Sequence, residues 1–409
     1  MSEPNSLSLH QLVVGQAQVK LQDLRALVQS MSQWRQSPES GVYLMVVCLS
    51  GALPENKRTN ALVDSVLQAI SPIALRRGAS VYQVSSVDFA LLVKTSELSI
   101  LSLVRDIKVD VLRAIDRLYP GTFGSIDQSR LALSYDLAAD YRSAAARIAK
   151  FSEVAAAPAS DPTKKRGLTE ADIQKVTLAY SKFGSDKFVK AFVKSQDVVL
   201  RDAGGYSSKI SEFYFSIDLI RKPLFVDVDM RGSGRLFNEF TLTLDQIMLG
   251  SVGLLPECPG PWSLNLNVET IFTEPFETFL ANTPPEKLKN FYVEFRQANI
   301  MENFDEFQVA LGLIKAKGAG IIVDQVFPPT AGLVDLSELS ANYCKIHWQD
   351  GSEEILRQRK RAIAHMQDSN VTPILVRVDA PRAFEIAEEL GINLFQGHLV
   401  DEMRKTAAA

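Results

Sequence analysis

The sequence has few cysteines and lacks any long apolar run. Cys48, Cys258 and Cys344 are an odd number without close pairing, so free thiols in a reducing compartment are expected rather than a disulfide framework. No apolar stretch has the length of a membrane-spanning helix, and the first residues lack the basic segment and apolar core of a secretion signal. We therefore expect a cytoplasmic protein that does not insert into a membrane.

An excess of charge of either sign is also missing. The chain carries 44 Lys and Arg residues against 48 Asp and Glu residues, which gives a net charge of −4. Proteins that bind nucleic acid usually present a strongly basic surface, and the totals give no sign of one. No nucleic-acid partner is expected.

A chain of 409 residues is too long for one ordinary hydrophobic core, and its composition changes along its length. Residues 1–40 read as an N-terminal helix and residues 41–150 as a compact α/β unit. Residues 151–168 are rich in Ala, Pro, Ser and Lys and lack apolar periodicity, which is typical of a linker. Residues 169–405 form the remaining unit.

The N-terminal segment has apolar residues at alternating spacings of three and four. This spacing is typical of a heptad seam on a helix. Two interpretations stay open: the helix packs on its own domain, or it forms the seam of a homodimer. The seam positions are Val14, Ala17, Leu21, Leu24, Val28 and Met31.

The last third of the chain alternates apolar runs with helix-like stretches of about 20 to 30 residues. Such a strand–helix repeat predicts a parallel (β/α)8 barrel of the TIM type, with its chemistry at the carboxyl ends of the strands. The predicted strands are SLNLN, FYVEF, GIIVD, YCKIH, PILVRV and NLFQG, and polar residues at or near their ends include Asn265, Glu294, Asp324, Lys345, Arg377 and Gln396. Two amides, two carboxylates and an amine converging on one mouth would suit a metal-assisted phosphoryl site or its remnant.

Residues 41–150 resemble a GGDEF domain, the family that makes cyclic di-GMP. The segment from Tyr82 to Val93 is laid out like the signature hairpin of that family, with Ser85, Ser86, Val87, Asp88 and Phe89 in place of Gly-Gly-Asp-Glu-Phe. The glycines and the metal-binding carboxylate are replaced, so the resemblance implies that this unit does not condense GTP.

Residues 168–405 resemble an EAL domain, the family that hydrolyses cyclic di-GMP. The matching segments follow the order of the family. In the first half they are Gln196 in the opening strand, Ile217, Leu219 and Arg221 for E-x-L-x-R, Asn265 for N-L-S, and Glu294 and Gln297 for E-x-T-E. In the second half they are Asp324 and Gln325 for D-D-F-G, Lys345 and His347 for K-I-D, Val376 to Asp379 for E-G-V-E, and Gln396 and Gly397 for Q-G-Y-L. The resemblance extends over some 200 residues and implies the barrel fold.

The resemblance implies a site without catalysis. Two-metal hydrolysis needs clustered carboxylates, and the match removes them at Ile217, Gln325 and Val376. We therefore expect no enzyme activity, no bound metal and no cofactor. The residues that the resemblance places around a cyclic di-GMP pocket are Gln196, Leu219, Arg221, Asn265, Glu294, Asp324, Lys345, Asp379 and Gln396.

Three functions remain after this comparison. In the first, placed slightly ahead, the protein is a cyclic di-GMP receptor that acts through conformation and protein partners, with Arg221 and Lys345 on the phosphates. In the second, these two cations neutralise Glu294 and Asp324 as an internal network, and the barrel is a nucleotide-independent protein-interaction scaffold. A residual phosphodiesterase ranks last.

Overall fold

A computed structural model describes residues 11–14, 17–122, 126, 128–156, 166–202, 205–230 and 234–407. The chain divides into two compact units, Met1–Ala155 and Ala156–Ala409. None of the helices in the described ranges combines the length and the apolarity of a membrane-crossing segment.

Unit 1 is built on a mixed sheet. Its strands are β1 Gln11–Val14, β2 Ala17–Asp23, β3 Val42–Val47, β4 Ser80–Gln83, β5 Phe89–Lys94 and β6 Ala132–Asp136, in the order β1-β2-β4-β5-β3-β6. Its helices are α1 Leu24–Gln36, α2 Leu49–Ala52, α3 Asn60–Arg77, α4 Glu97–Leu118, α5 Gln128–Leu131 and α6 Leu137–Ala156. Every residue of β3 is buried, as expected for the run VYLMVV between two neighbouring strands.

The predicted N-terminal helix is wrong in its first half. β1 and β2 form an antiparallel hairpin, and the helix begins only at Leu24, where the Asp23 side chain accepts a hydrogen bond from the Ala26 amide and caps it. The run Ala17–Gln22 also alternates apolar and polar residues, a strand period that the heptad spacing concealed. Val28 and Met31 of the proposed dimer seam are fully buried in the chain.

The predicted linker is shorter than residues 151–168. Its first residues belong to α6, which continues to Ala156. Its last residues include β7, Arg166–Gly167, which pairs with β10, Val228–Asp229. Residues 157–165 lie outside the described residues.

Unit 2 contains a closed barrel. Besides β7 and β10, its strands are β8 Val193–Asp202, β9 Gly205–Phe215, β11 Trp262–Asn265, β12 Phe291–Arg296, β13 Gly320–Val326, β14 Tyr343–His347, β15 Thr372–Val376 and β16 Leu394–Gln396. Within the described residues the barrel order is β11 through β16, then β8 and β9. The barrel and the six strands predicted in the last third of the chain are confirmed.

The helices of unit 2 lie between these strands along the chain, except α18, which follows β16. They are α7 Glu170–Phe183, α8 Ser185–Phe192, α9 Ile217–Leu224, α10 Gly234–Gly250, α11 Glu274–Asn282, α12 Pro285–Leu288, α13 Gln297–Glu302, α14 Phe304–Ala316, α15 Glu353–Gln358, α16 Lys360–Asp368, α17 Arg382–Glu389 and α18 His398–Ala407. Fully buried phenylalanines, among them Phe188, Phe225 and Phe240, form the core shared by α7 to α10.

One barrel strand runs against the others. β8 is antiparallel to both of its neighbours, β9 and β16, whereas the remaining pairs around the barrel are parallel. The prediction of a wholly parallel barrel is therefore wrong at this strand. Because β8 is reversed, its amino end lies at the same rim as the carboxyl ends of the other strands. This reversal brings Gln196, near the start of β8, to the barrel mouth.

Candidate functional site

The polar residues at the barrel mouth can be located from the direction of the side chains, which repeats every two residues along each strand. One layer of the barrel interior is apolar and includes Val198, Ile210, Ile322, Ile374 and Leu394, with Tyr292 and Tyr343 packed against it. Side chains two positions apart point to the same face, so the next layer towards the mouth is also fixed. That layer consists of Gln196, Glu212, Glu294, Asp324, Lys345, Val376 and Gln396.

The centre of this layer is an ion-paired amine. The Lys345 Nζ lies 2.6 Å from an oxygen of Glu212 and 2.6 Å from an oxygen of Glu294. Gln396 Nε2 donates to Glu212 over 2.7 Å, and the Asn265 amide also donates to Glu212. The other oxygen of Glu294 accepts from the Ser263 hydroxyl at 2.6 Å. The two glutamates therefore have protein partners on several sides.

A histidine side chain is placed against the remaining acid. His347 Nε2 lies 3.0 Å from Asp324, and both side chains are largely withdrawn from solvent. His347 stands where the resemblance places an aspartate, so this pair is a departure from the family pattern. Asp324 is consequently held by a protein group.

The electrostatics of the layer reflect burial and close charges. Burial raises the pKa of Glu294 above its ordinary value, and Glu212 adds to the shift although Lys345 opposes it. Burial also disfavours the charged forms of Asp324 and Lys345. His347 and Lys345 outweigh that effect on Asp324 and hold its pKa at about 2. The neighbouring carboxylates hold the pKa of Lys345 above its ordinary value.

The acids of this layer are engaged by basic protein side chains. The Lys345 ammonium already bridges the two glutamates that would be ligands, and His347 holds Asp324. Across the described ranges, no group of three or more His, Cys, Asp or Glu side chains is arranged to hold a metal ion. Gln325 and Val376 offer no carboxylate. The two glutamates and Asp324 of this layer are thus paired with protein side chains.

The assignment of the E-x-L-x-R strand to residues 217–221 is wrong. These residues begin α9, where Arg221 pairs with Asp218 over 3.3 Å at the surface. Leu219 and Arg221 therefore lie outside the mouth network and do not line its pocket. The mouth has a further carboxylate, Glu212 on β9, which the motif comparison missed, so Ile217 does not mark a lost carboxylate of the mouth. The inward alternation from Ile210 to Glu212 is the sequence signal that could have found it.

The mouth holds a pocket of about 170 Å³. The predicted residues Gln196, Asp324, Lys345, Asp379 and Gln396 line it, together with Glu212, His347, Val376, Arg377, Gly397 and His398. Asn265 and Glu294 do not line it and are joined to it through Glu212 and Lys345. Asp379 accepts a hydrogen bond from the His398 amide at 3.2 Å.

Another buried carboxylate of unit 2, Asp245, lies on α10. Asp245 accepts hydrogen bonds from the Asn267 amide, the Asn267 side chain and the Thr270 hydroxyl, all at 2.7 to 2.8 Å. Burial raises the pKa of Asp245 to about 6, although these hydrogen bonds and Arg296 act in the opposite direction. The network ties α10 to the segment that follows β11.

A larger cavity of about 670 Å³ lies on another part of unit 2. Its walls come from the end of α10, the loop through Cys258 and the α11 helix, with Trp262 and Phe279 among the lining residues. It shares no residue with the mouth pocket. Phe213 lines it, which is consistent with neighbouring residues of β9 facing opposite sides.

The hairpin predicted in unit 1 is confirmed. β4 and β5 pair antiparallel, and the Val84 amide closes the turn on the Asp88 carbonyl at 2.9 Å. The Asp88 carboxylate is 1% exposed and accepts from the Ser50 amide, the Ser50 hydroxyl and the Ser85 hydroxyl. Val87 is buried. The signature position therefore has a structural role in this unit.

Comparisons with known proteins give distant similarities. No family model matches the chain. The chain is 29% identical over 154 residues to BluF of Escherichia coli K12, a blue light- and temperature-regulated antirepressor, and the match covers 34% of this chain and 36% of BluF. The chain thus spans about a third of the length of this curated relative.

Two solved structures show a distant similarity to the chain. A GGDEF–EAL fragment of Vibrio cholerae LapD, bound to c-di-GMP, has a TM-score of 0.45 at 13% identity and covers 92% of this chain and 94% of its own. Klebsiella pneumoniae BlrP1, in a manganese and cyclic di-GMP complex, has a TM-score of 0.37 at 14% identity, with coverages of 88% and 94%. At such identities the side chains of a site differ, so the geometry of this mouth decides its chemistry.

Proposed function

We propose that this protein is a catalytically inactive regulatory protein, in which a GGDEF-like unit and an EAL-like barrel serve binding rather than turnover. The observation that carries the proposal is the Lys345 ammonium, which lies between Glu212 and Glu294. In this structure the ammonium engages both carboxylates directly, which supports a role for the mouth in binding rather than in turnover.

The chemistry of hydrolysis supports the same conclusion. Cleaving a phosphodiester in a two-metal site requires cations that activate water and stabilise the developing negative charge. Here Asp324 is held by His347, and Gln325 and Val376 supply no further carboxylate. In unit 1, Asp88 is likewise engaged by Ser50. We infer that neither unit forms nor cleaves cyclic di-GMP.

The manner of action best supported by the geometry is interaction with other proteins. The buried glutamates of the mouth need no nucleotide as a partner, because Lys345 pairs with both of them directly. The pocket of about 170 Å³ is below the range of about 300 to 1,000 Å³ that is usual for small-molecule sites. BluF, which resembles part of the chain, is an antirepressor, and a comparable regulatory role is our proposal for this protein.

A cyclic di-GMP receptor is the second candidate. The observation that favours it is the gathering of Gln196, Lys345 and Gln396 around one pocket, as the resemblance implied. Against it, Arg221 lies on α9 and cannot supply the phosphate contact that was expected of it.

The test combines turnover with titration calorimetry. Purified protein with Mg²⁺ or Mn²⁺ is expected neither to form cyclic di-GMP from GTP nor to cleave it. Turnover that Asp324→Ala abolishes would contradict the proposal. Calorimetric titration with cyclic di-GMP, with and without Mg²⁺, then separates the two manners of action: saturable binding supports the receptor, and its absence supports the protein-binding scaffold.

A further inference from the structure

Helix α14 of unit 2 is apolar on two sides. Its buried side is formed by Phe307, Ala310, Leu311 and Ile314. On the other side Val309 is 57% exposed and Leu313 is 45% exposed. Gly312 and Ala316 are exposed on the same face, because residues three, four and seven positions apart share one side of a helix. A contiguous exposed face of this kind favours contact with another protein surface.

Gly312 lies at the centre of this exposed face and leaves it without a side chain. Apart from the backbone of the helix itself, no atom lies within 4 Å of the position that a Cβ would occupy there. Glycine in a helix interior lowers the stability of the helix, so the packing inside the chain gives no reason for it. A second helix that crosses at Gly312 can approach more closely than one that crosses at a larger residue.

The two ends of α14 carry charges of opposite sign. Asp305 and Glu306 lie in the first turn, and Lys315 and Lys317 lie at the carboxyl end. All four side chains are exposed, and in the ranges that the structure describes they form no ion pair or hydrogen bond. Glu306 and Lys317 are about three helical turns apart, so they lie along one flank of the exposed face. Gln308 and Lys315 are about two turns apart and lie along the other flank.

An antiparallel pair of α14 helices related by a two-fold axis matches this charge pattern. In such a pair the same flanks of both helices meet, with the amino end of one beside the carboxyl end of the other. With the axis near Gly312, Glu306 of each copy faces Lys317 of the other copy. Val309 then faces Leu313 across the axis. A parallel pair would instead place like charges against each other.

We propose that the exposed face of α14 is a homodimer contact, on which a second copy of this chain docks its own α14 antiparallel about an axis near Gly312. The contact goes beyond the proposed function, since it depends neither on the inactivity of the barrel nor on a ligand at its mouth. A pair of helices about 20 Å long buries less than the roughly 800 Å² per partner of a standard interface. The dimer is therefore weak and forms at high micromolar protein concentration.

The test is sedimentation equilibrium of the full chain at increasing protein concentration, up to the millimolar range. Wild-type protein is expected to pass from monomer to dimer. Leu313→Arg and Gly312→Arg should weaken association about tenfold or more, because each places two cations together at the contact. Both positions are exposed, and arginine is a better helix former than glycine, so the melting temperature of Gly312→Arg should stay level or rise. A loss of association therefore cannot come from unfolding.

Leu178→Arg is the matched control, since Leu178 lies on α7, outside the exposed face of α14, and is 52% exposed. Its association should equal that of wild type. Wild-type protein that stays monomeric at millimolar concentration, or a Leu313→Arg variant that dimerises like wild type, would overturn the proposal.

Charge reversal separates a dimer contact from charges that serve the helix alone. Acids at the amino end and lysines at the carboxyl end also stabilise a single helix. Glu306→Lys should weaken dimerisation about tenfold, because two ion pairs become two repulsions. Glu306→Lys/Lys317→Glu should restore it, because the two pairs form again with reversed polarity. A double variant that associates more weakly than Glu306→Lys would contradict the antiparallel contact. A failure of the inactivity proposal would appear separately, as turnover.

Discussion

Lys345 and Glu294 meet across the barrel mouth from strands that are not neighbours, with Nζ and Oε2 2.6 Å apart. Their side chains are 3% and 0% exposed, so water does not screen the pair. Glu212 approaches the same ammonium from a third strand. A buried charge of this kind depends on its partners, because either one alone would be left without compensation.

Replacing Lys345 tests that dependence. Lys345→Met should lower the free energy of unfolding of unit 2 by about 3 to 5 kcal/mol, because Glu212 and Glu294 would face each other without a cation. Chemical denaturation followed by circular dichroism measures the change. The double variant Glu212→Gln/Lys345→Met should recover part of the loss. A single variant as stable as wild type would show that the ion pairs contribute nothing to the fold.

Substitution of Arg221 should have little effect on the free energy of unfolding. Its partner Asp218 is one turn away on α9 and largely exposed, and such surface pairs stabilise little. Arg221→Ala is therefore expected to change the free energy of unfolding by less than about 1 kcal/mol. The measurement is the same denaturation series, with Lys345→Met as the reference. A loss as large as that of Lys345→Met would place Arg221 in the buried network after all.

The pH dependence of stability should contain a contribution from Asp245. Its folded pKa of about 6 lies above its ordinary value of 3.8, so the contribution is fully present below about pH 4 and is lost as the pH rises through 6. Asp245→Asn mimics the protonated acid and keeps an oxygen for the three donors. At pH 8 it should raise the free energy of unfolding by up to about 3 kcal/mol, with little change near pH 4.

Denaturation of wild type and Asp245→Asn at several pH values between 4 and 8 checks this expectation. Thr270→Val is the companion variant, because it removes one donor to Asp245 while leaving the carboxylate in place. Parallel pH profiles for wild type and Asp245→Asn would mean that the folded and unfolded pKa values of this group do not differ.

The α1 helix is expected to stabilise unit 1 by packing within the same chain rather than against a second copy. Met31 is fully buried, so Met31→Ala should cost about 2 to 5 kcal/mol through lost packing. Sedimentation of the variant at a temperature where it stays folded should match that of wild type. A variant that keeps its stability but sediments as a smaller species would instead support the dimer seam.

The positions of the strands could be predicted from the sequence, because the alternation of apolar and polar residues and a composition rich in β-forming residues are local properties. The strand ends at Glu294, Asp324 and Lys345 are examples, because each of these residues follows an inward-facing residue of the barrel interior by two positions. Glu212 was missed because the sequence was compared with a motif residue by residue. The alternation of inward-facing and outward-facing residues within β9 would have located it. The segment before Leu24 failed for a related reason: heptad spacing and strand alternation coincide over so few residues.

Which side chains pair with one another in the site could not be predicted from the sequence in this way. Lys345 bonds Glu212 over 133 positions and Glu294 over 51, and these choices depend on which strands are close in the closed barrel. The pairing of His347 with Asp324 depends similarly on the neighbouring strands β13 and β14. Side-chain selection among several nearby acids is a property of the packed structure.

The reversed strand β8 has a consequence for how the barrel is made. β8 is the first strand of the barrel along the chain, and its partner on one side is the last, with Leu394 opposite Leu200. A ribosome therefore releases nearly all of unit 2 before β16 can pair. Until then β8 and β16 present open edges, and closure requires contacts of very long sequence separation, such as that of Gln396 with Glu212 across 184 positions. The nascent chain should be most prone to aggregation in the interval before residue 396 emerges.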